Sequence, residues 1–154
     1  MPRSEQVTLR DVDDIAEIDS TNPPNPQFHE LTVAEVLDIG WPVLVAFVTP
    51  AFCQTRFCGP VMEEVVIPTS EAYGDRIEII HIEPFDLQAA RDGSFLTSVD
   101  GGSIYLPAPI VSEWGLLTEP FIFVIDPDGT VAAKFEGIME AEEVAAALDL
   151  VLAP

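Results

Sequence analysis

Positive charge is what this chain most lacks. Six Lys and Arg stand against 27 Asp and Glu, Lys134 is the single lysine, and the formal net charge is −21. A field of that sign repels phosphate backbones and anionic headgroups, which excludes nucleic acid and anionic membrane surfaces as partners. No run reaches the 18 or more apolar residues of a membrane helix, and residues 1–30 lack the apolar centre of a signal peptide. Only two cysteines and two histidines are present. A disulfide-stapled miniature scaffold is thereby excluded, and a chain of 154 residues is long enough to bury a core without staples. Gly-rich phosphate loops, paired catalytic carboxylates, a Ser/His/Asp arrangement and internal repeats are also missing.

What is present is globular: 48% apolar and 21% charged residues, with 14 prolines marking turns. Thr8 begins a Thr-x-x-Asp pattern, and Leu9, Val12, Ile15 and Ile18 recur every three residues, which predicts a short helical piece. The polar, proline-bearing stretch 20–27 follows. We expect residues 1–28 to be an N-terminal extension or tether, with an export signal or anchor lying outside this sequence, and residues 29–154 to form one domain. Thr32 to Gly40 carries a cap, an apolar stripe and a closing glycine, the signals of a helix. Residues 42–49 form an apolar run without alternation, as a strand buried on both faces requires. Pro60 opens a helical pattern that reaches about Tyr73, with a kink expected at Pro68. Residues 76–83 are rich in β-branched isoleucine and predict a second strand, parallel to the first because a helix crosses between them. Residues 84–109 change character and read as an insertion with a small hairpin. A short helix or turn near 110–115, a β-hairpin over 121–135 turning at Asp126-Pro127-Asp128-Gly129, and a helix from Glu140 to Leu152 complete the order. The result is an α/β chain with a central mixed sheet covered on both faces.

Both cysteines fall in one window, Phe52-Cys53-Gln54-Thr55-Arg56-Phe57-Cys58-Gly59-Pro60, where the first strand hands over to the crossover helix. Four roles are open to such a pair: a redox couple, a structural disulfide, metal ligands or inert thiols. We favour the redox couple. Cys58 stands at the expected helix start, where unsatisfied N–H groups and the helix dipole favour a thiolate; Arg56 is either a modulating positive charge beside it or, the more common case, a solvated loop arginine. Five residues of regular helix separate Cα atoms by about 8–9 Å, beyond the ~7 Å a disulfide tolerates. The oxidised loop is therefore expected to be non-helical. As a staple the bond is weak, since closing so short a loop contributes about 2 kcal/mol.

These residues resemble the thioredoxin superfamily. Phe57-Cys58-Gly59-Pro60 is similar to the opening of its tryptophan-cysteine-glycine-proline-cysteine signature, with Val61 where the second cysteine stands and Cys53 offering the partner from upstream in a C-x4-C spacing. The similarity extends over about residues 40–152. It implies a thioredoxin-like three-layer fold with the insertion placed before a cis-proline loop at Thr118-Glu119-Pro120. Thr49-Pro50-Ala51-Phe52-Cys53, and the segment from Phe121 through Phe135 to Gly137, look like extracytoplasmic, membrane-anchored bacterial proteins of this kind. The implied activity is thiol–disulfide exchange on protein substrates, located outside the cytoplasm. Cys58 is expected to attack and Cys53 to resolve, both sulfurs being open to a partner protein, with Pro120, Glu119 and Phe57 forming the substrate groove. No cofactor and no resident metal are expected.

Three rivals bear on the same residues. A Q-type peroxiredoxin also spaces its cysteines C-x4-C, but Thr49 lies four residues before Cys53 rather than three, and the expected arginine is missing. A copper chaperone of the Sco kind spaces its cysteines by three and needs a late-loop histidine. Here His81 falls inside a strand, where a packed or edge histidine is the expectation, and His29 lies near the N-terminal extension. A binding module that keeps the disulfide as a clasp is the non-enzymatic alternative.

Overall fold

The computed structural model describes residues 6–53, 57–97 and 100–154. In chain order the elements are α1 (Val33–Asp38), β1 (Val43–Phe47), α2 (Cys58–Val61), a π-helical turn (Met62–Val66), α3 (Ile67–Tyr73), β2 (Glu78–Ile82), α4 (Leu87–Arg91), β3 (Phe95–Thr97), β4 (Ser103–Tyr105), α5 (Pro109–Trp114), β5 (Phe121–Ile125), β6 (Val131–Glu136) and α6 (Ala141–Leu152). The main sheet runs β2-β1-β5-β6. β1 is parallel to β2 and antiparallel to β5, and β6 returns antiparallel to β5.

The unalternating apolar run of β1 has the expected cause. Val43, Val45 and Phe47 pack on one face with Val33 and Val36 of α1 and Ile110 of α5. Leu44 and Ala46 pack on the other with Val61, Met62 and Val65 of the crossover and Val144 and Leu148 of α6. Two helical layers therefore sandwich the sheet, and every residue of β1 is buried.

Local chemistry sets the element ends. Thr32 caps α1 reciprocally with Glu35, and Arg10 grips the Glu35 carboxylate with two hydrogen bonds of 2.8 and 2.7 Å. That pairing draws Glu35 down to a pKa of about 2. Gly40, at φ 76°, supplies the left-handed turn into β1. The kink expected at Pro68 takes a specific form: Ile67 N bonds the carbonyl of Met62 five residues back, so the helix widens by one residue just before the proline that lacks a donor.

The N-terminal segment departs from the sequence expectation. The helix expected over 8–18 is two separate 3₁₀ turns, Leu9–Asp11 and Ile15–Glu17, with Val12 extended between them. Asp11 and Asp14 cause the break, since each bonds backbone N–H groups in a capping box and so closes a turn instead of propagating one. This segment lies against the domain. Leu9 N donates to His29 O, Phe28 is buried in the core, and the Arg91 guanidinium donates to Ala16 O.

The insertion forms the expected hairpin, β3 pairing antiparallel with β4, with α4 ahead of it. Tyr105 anchors the hairpin by ring contacts with Phe52, Phe85 and Phe95 at 5.6, 5.3 and 5.3 Å between centroids.

Candidate active site

The C-terminal end of β1 feeds a turn that carries Cys53, and α2 begins at Cys58. Their sulfurs form a disulfide with Cα atoms 5.9 Å apart, and Cys53 lies outside the helix, as the spacing requires. Pro60 occupies the first turn, where its absent N–H leaves nothing unpaired, and Val61 N closes that turn on Phe57 O.

The two sulfurs have unequal surroundings. Cys58 has no exposed surface and belongs to the core beneath the crossover, whereas Cys53 is half-buried at its margin. The expectation that both sulfurs meet a partner is corrected by this packing: α2 and the sheet cover Cys58, and only Cys53 reaches solvent. Cys53 lines a shallow depression of about 410 Å³ with Phe95, Ser103, Ile104 and Tyr105 of the hairpin. The insertion thus borders the depression beside the disulfide.

The loop entering β5 also approaches the disulfide. Its Glu119–Pro120 peptide is cis, in accord with the cis-proline expectation. Both residues are buried, Glu119 at 5% exposure, and a Glu119 carboxylate oxygen lies within 4.8 Å of both sulfurs. Two residues earlier Leu117 is 98% exposed, and exposed Ile138 lines a second depression together with Phe57 and Pro60. Phe57 is half-buried. Arg56 lies outside the described residues.

The N-terminal segment supports the turn from below. Glu83, buried just beyond β2, accepts hydrogen bonds from Ser20 N (2.7 Å) and Ser20 Oγ (2.6 Å), and Ser20 Oγ accepts one from Ala51 N (3.1 Å). Burial pushes the Glu83 carboxyl above its ordinary value. Ser20 and Glu83 were beyond reach of sequence reasoning, since they sit 63 residues apart and neither belongs to a recognisable motif.

No protein-family model matches the chain, and no curated protein matches it by sequence. Solved structures do. An exposed lipoprotein thioredoxin from Streptococcus pneumoniae superposes with a TM-score of 0.52 at 14% identity, over 78% of this chain and 90% of its own. The MTB protein DsbF gives 0.53 at 16%, over 87% and 93%. The fold is thioredoxin-like. A thiol:disulfide interchange protein of Chlorobium tepidum gives 0.50 at 17%, over 88% and 92%. Within this thioredoxin-like frame the central sheet, the crossover helix and the cis-proline loop converge on the disulfide.

Proposed function

We propose that the chain is a thiol–disulfide oxidoreductase that exchanges its Cys53–Cys58 couple with protein substrates. The observation that carries this is the asymmetric disulfide: one sulfur open on a groove, the other buried at a helix start, beside a cis-proline loop. A substrate thiolate attacks Cys53 Sγ, the S–S bond breaks, and the electron pair leaves on Cys58 as a thiolate. The helix start favours that leaving group. A second substrate thiolate then attacks the mixed disulfide and releases Cys53. In net terms a substrate dithiol becomes a disulfide, and Cys53 and Cys58 take up two electrons and two protons. The same steps run backwards when the couple reduces a substrate. Cys53 therefore takes the contact role that the sequence assigned to Cys58, because burial decides which sulfur a macromolecule reaches.

In this proposal Pro120, Glu119 and Phe57 border the substrate groove, and exposed Leu117, Ile138, Phe95 and Ile104 offer apolar contact to an extended chain. The protein works outside the cytoplasm, tethered through its N-terminal side. The likeness to an exposed lipoprotein thioredoxin supports that location.

Trapping tests the assignment. Cys58→Ser leaves Cys53 free and is expected to accumulate mixed disulfides with oxidised insulin on non-reducing gels, as Cys53 attacks an insulin disulfide and one insulin thiolate leaves, while Cys53→Ser accumulates few. The reverse pattern would return the contact role to Cys58, and no adduct in either variant would remove the proposed exchange.

A further inference from the structure

Away from the cysteines, the fold brings three metal-ligating side chains together that are scattered in sequence. Asp19, His29 and His81 are all buried, and one ligand atom from each lies within 4.8 Å of the other two. His29 Nε2 is 3.0 Å from Asp19 Oδ2, and His81 Nδ1 is 3.6 Å from Asp19 Oδ1. Ligand atoms about 2.0–2.1 Å from a shared ion sit about 2.9–3.4 Å apart in octahedral or tetrahedral geometry. The 3.0 Å spacing, a hydrogen bond that an ion would replace, falls in that range, and the 3.6 Å spacing, to the other carboxylate oxygen, lies just beyond it.

His81 supplies the independent observation. Its Nε2 lies 2.7 Å from Val48 O, a carbonyl that only accepts, so this nitrogen carries the hydrogen. Its Nδ1, on a side chain with no exposed surface, has no hydrogen-bond partner among the described residues and faces the Asp19 carboxylate. A lone pair held against a carboxylate is repulsive, and a cation between them turns the contact into two bonds. Anchoring one ring nitrogen on a backbone carbonyl while the other is left for the ion is how ligating histidines are oriented. Asp19 is held in the same way: Thr21 N and Asn25 N donate to its two oxygens at 2.8 Å. A cavity of about 270 Å³, bordered by His29, His81 and Glu83, adjoins the cluster and leaves room for water at the remaining coordination positions.

We propose that Asp19, His29 and His81 form a binding site for a first-row transition-metal dication such as Zn²⁺, which fastens the N-terminal segment onto β2. Two imidazoles and one carboxylate suit such an ion, whereas Ca²⁺ and Mg²⁺ prefer all-oxygen shells. The site stands apart from the disulfide and does not depend on the redox role.

The test uses the untagged full chain in its oxidised form, so that both sulfurs are occupied. Zn²⁺ is titrated against a chromophoric chelator, and the loaded protein is examined by X-ray absorption at the zinc edge. We expect one equivalent bound, a shell of nitrogen and oxygen at about 2.0–2.1 Å with imidazole scattering, and no sulfur at about 2.3 Å. His29→Gln and His81→Gln are expected to weaken binding at least about 100-fold, beyond what loss of an orienting partner does. Absence of stoichiometric binding, sulfur in the first shell, or undiminished binding by His81→Gln would overturn the site. If the variants do not fold, the absorption spectrum of the unaltered protein decides alone. A protein that refuses Zn²⁺ while NMR shows His81 protonated on both nitrogens assigns the gap to a proton instead.

Discussion

The chemistry of the proposed couple turns on how a buried sulfur and a buried carboxylate share one corner of the core. Cys58 at the helix start is favoured as a thiolate by the helix, and Glu119, within 4.8 Å of both sulfurs, opposes it. An ionised carboxylate at that range raises a thiol pKa and so biases the pair toward the disulfide. Glu119→Gln is therefore expected to make the thiols of the reduced pair ionise more readily. The pH dependence of thiol alkylation in the reduced protein reads this directly. An unchanged or raised midpoint would show that Glu119 acts only through packing.

Among the elements, the turn before Cys53 is steadied from outside its own neighbourhood. Ser20 bridges Glu83 and Ala51, so the N-terminal segment becomes part of what holds the turn before the disulfide. Ser20→Ala removes a charge-assisted bond and leaves a buried carboxylate with one partner fewer, which costs about 2 kcal/mol. We expect a lower urea midpoint together with faster reduction of the disulfide by dithiothreitol, while an unchanged reduction rate would uncouple the segment from the turn. Elements whose stabilisation is local or periodic were legible in the sequence. The doubly buried β1, the parallel β2, the hairpin turning at Asp126 to Gly129 and the capped α1 all follow from runs, caps and turn residues. The cis Glu119–Pro120 loop was legible through the resemblance alone. The apolar spacing over 8–18 pointed to a loosely docked piece, but the bonds that fix residues 6–31 were not legible, because they join distant residues such as Ser20 and Glu83. Nor was the gathering of Asp19, His29 and His81, where each residue alone looks like packing or tail. The burial of Cys58 was missed for a related reason, since a helix start indicates polarity but not what covers it.

Across the whole molecule, a formal charge of −21 on 154 residues repels itself in the compact state, with only six Lys and Arg to offset it. Salt at about 1 M shortens the Debye length to about 3 Å and screens that repulsion. The melting temperature in NaCl is expected to rise by several degrees over its low-salt value, and a flat or falling dependence would mean that the surface acids are already balanced by local pairing. Exposed Phe95 and Ile104 border the depression beside Cys53, so partner recognition is expected to combine apolar contact near the disulfide with long-range attraction of basic substrates to the acid-rich chain. The central claim is that the Cys53–Cys58 bond is a working couple rather than a clasp, and its reduction potential, measured by equilibration with glutathione and thiol alkylation, tests this most directly. We predict a value well above about −300 mV, within the range of exchanging couples. A potential at or below about −300 mV, resistant to the glutathione pool, would make the bond structural and contradict the account.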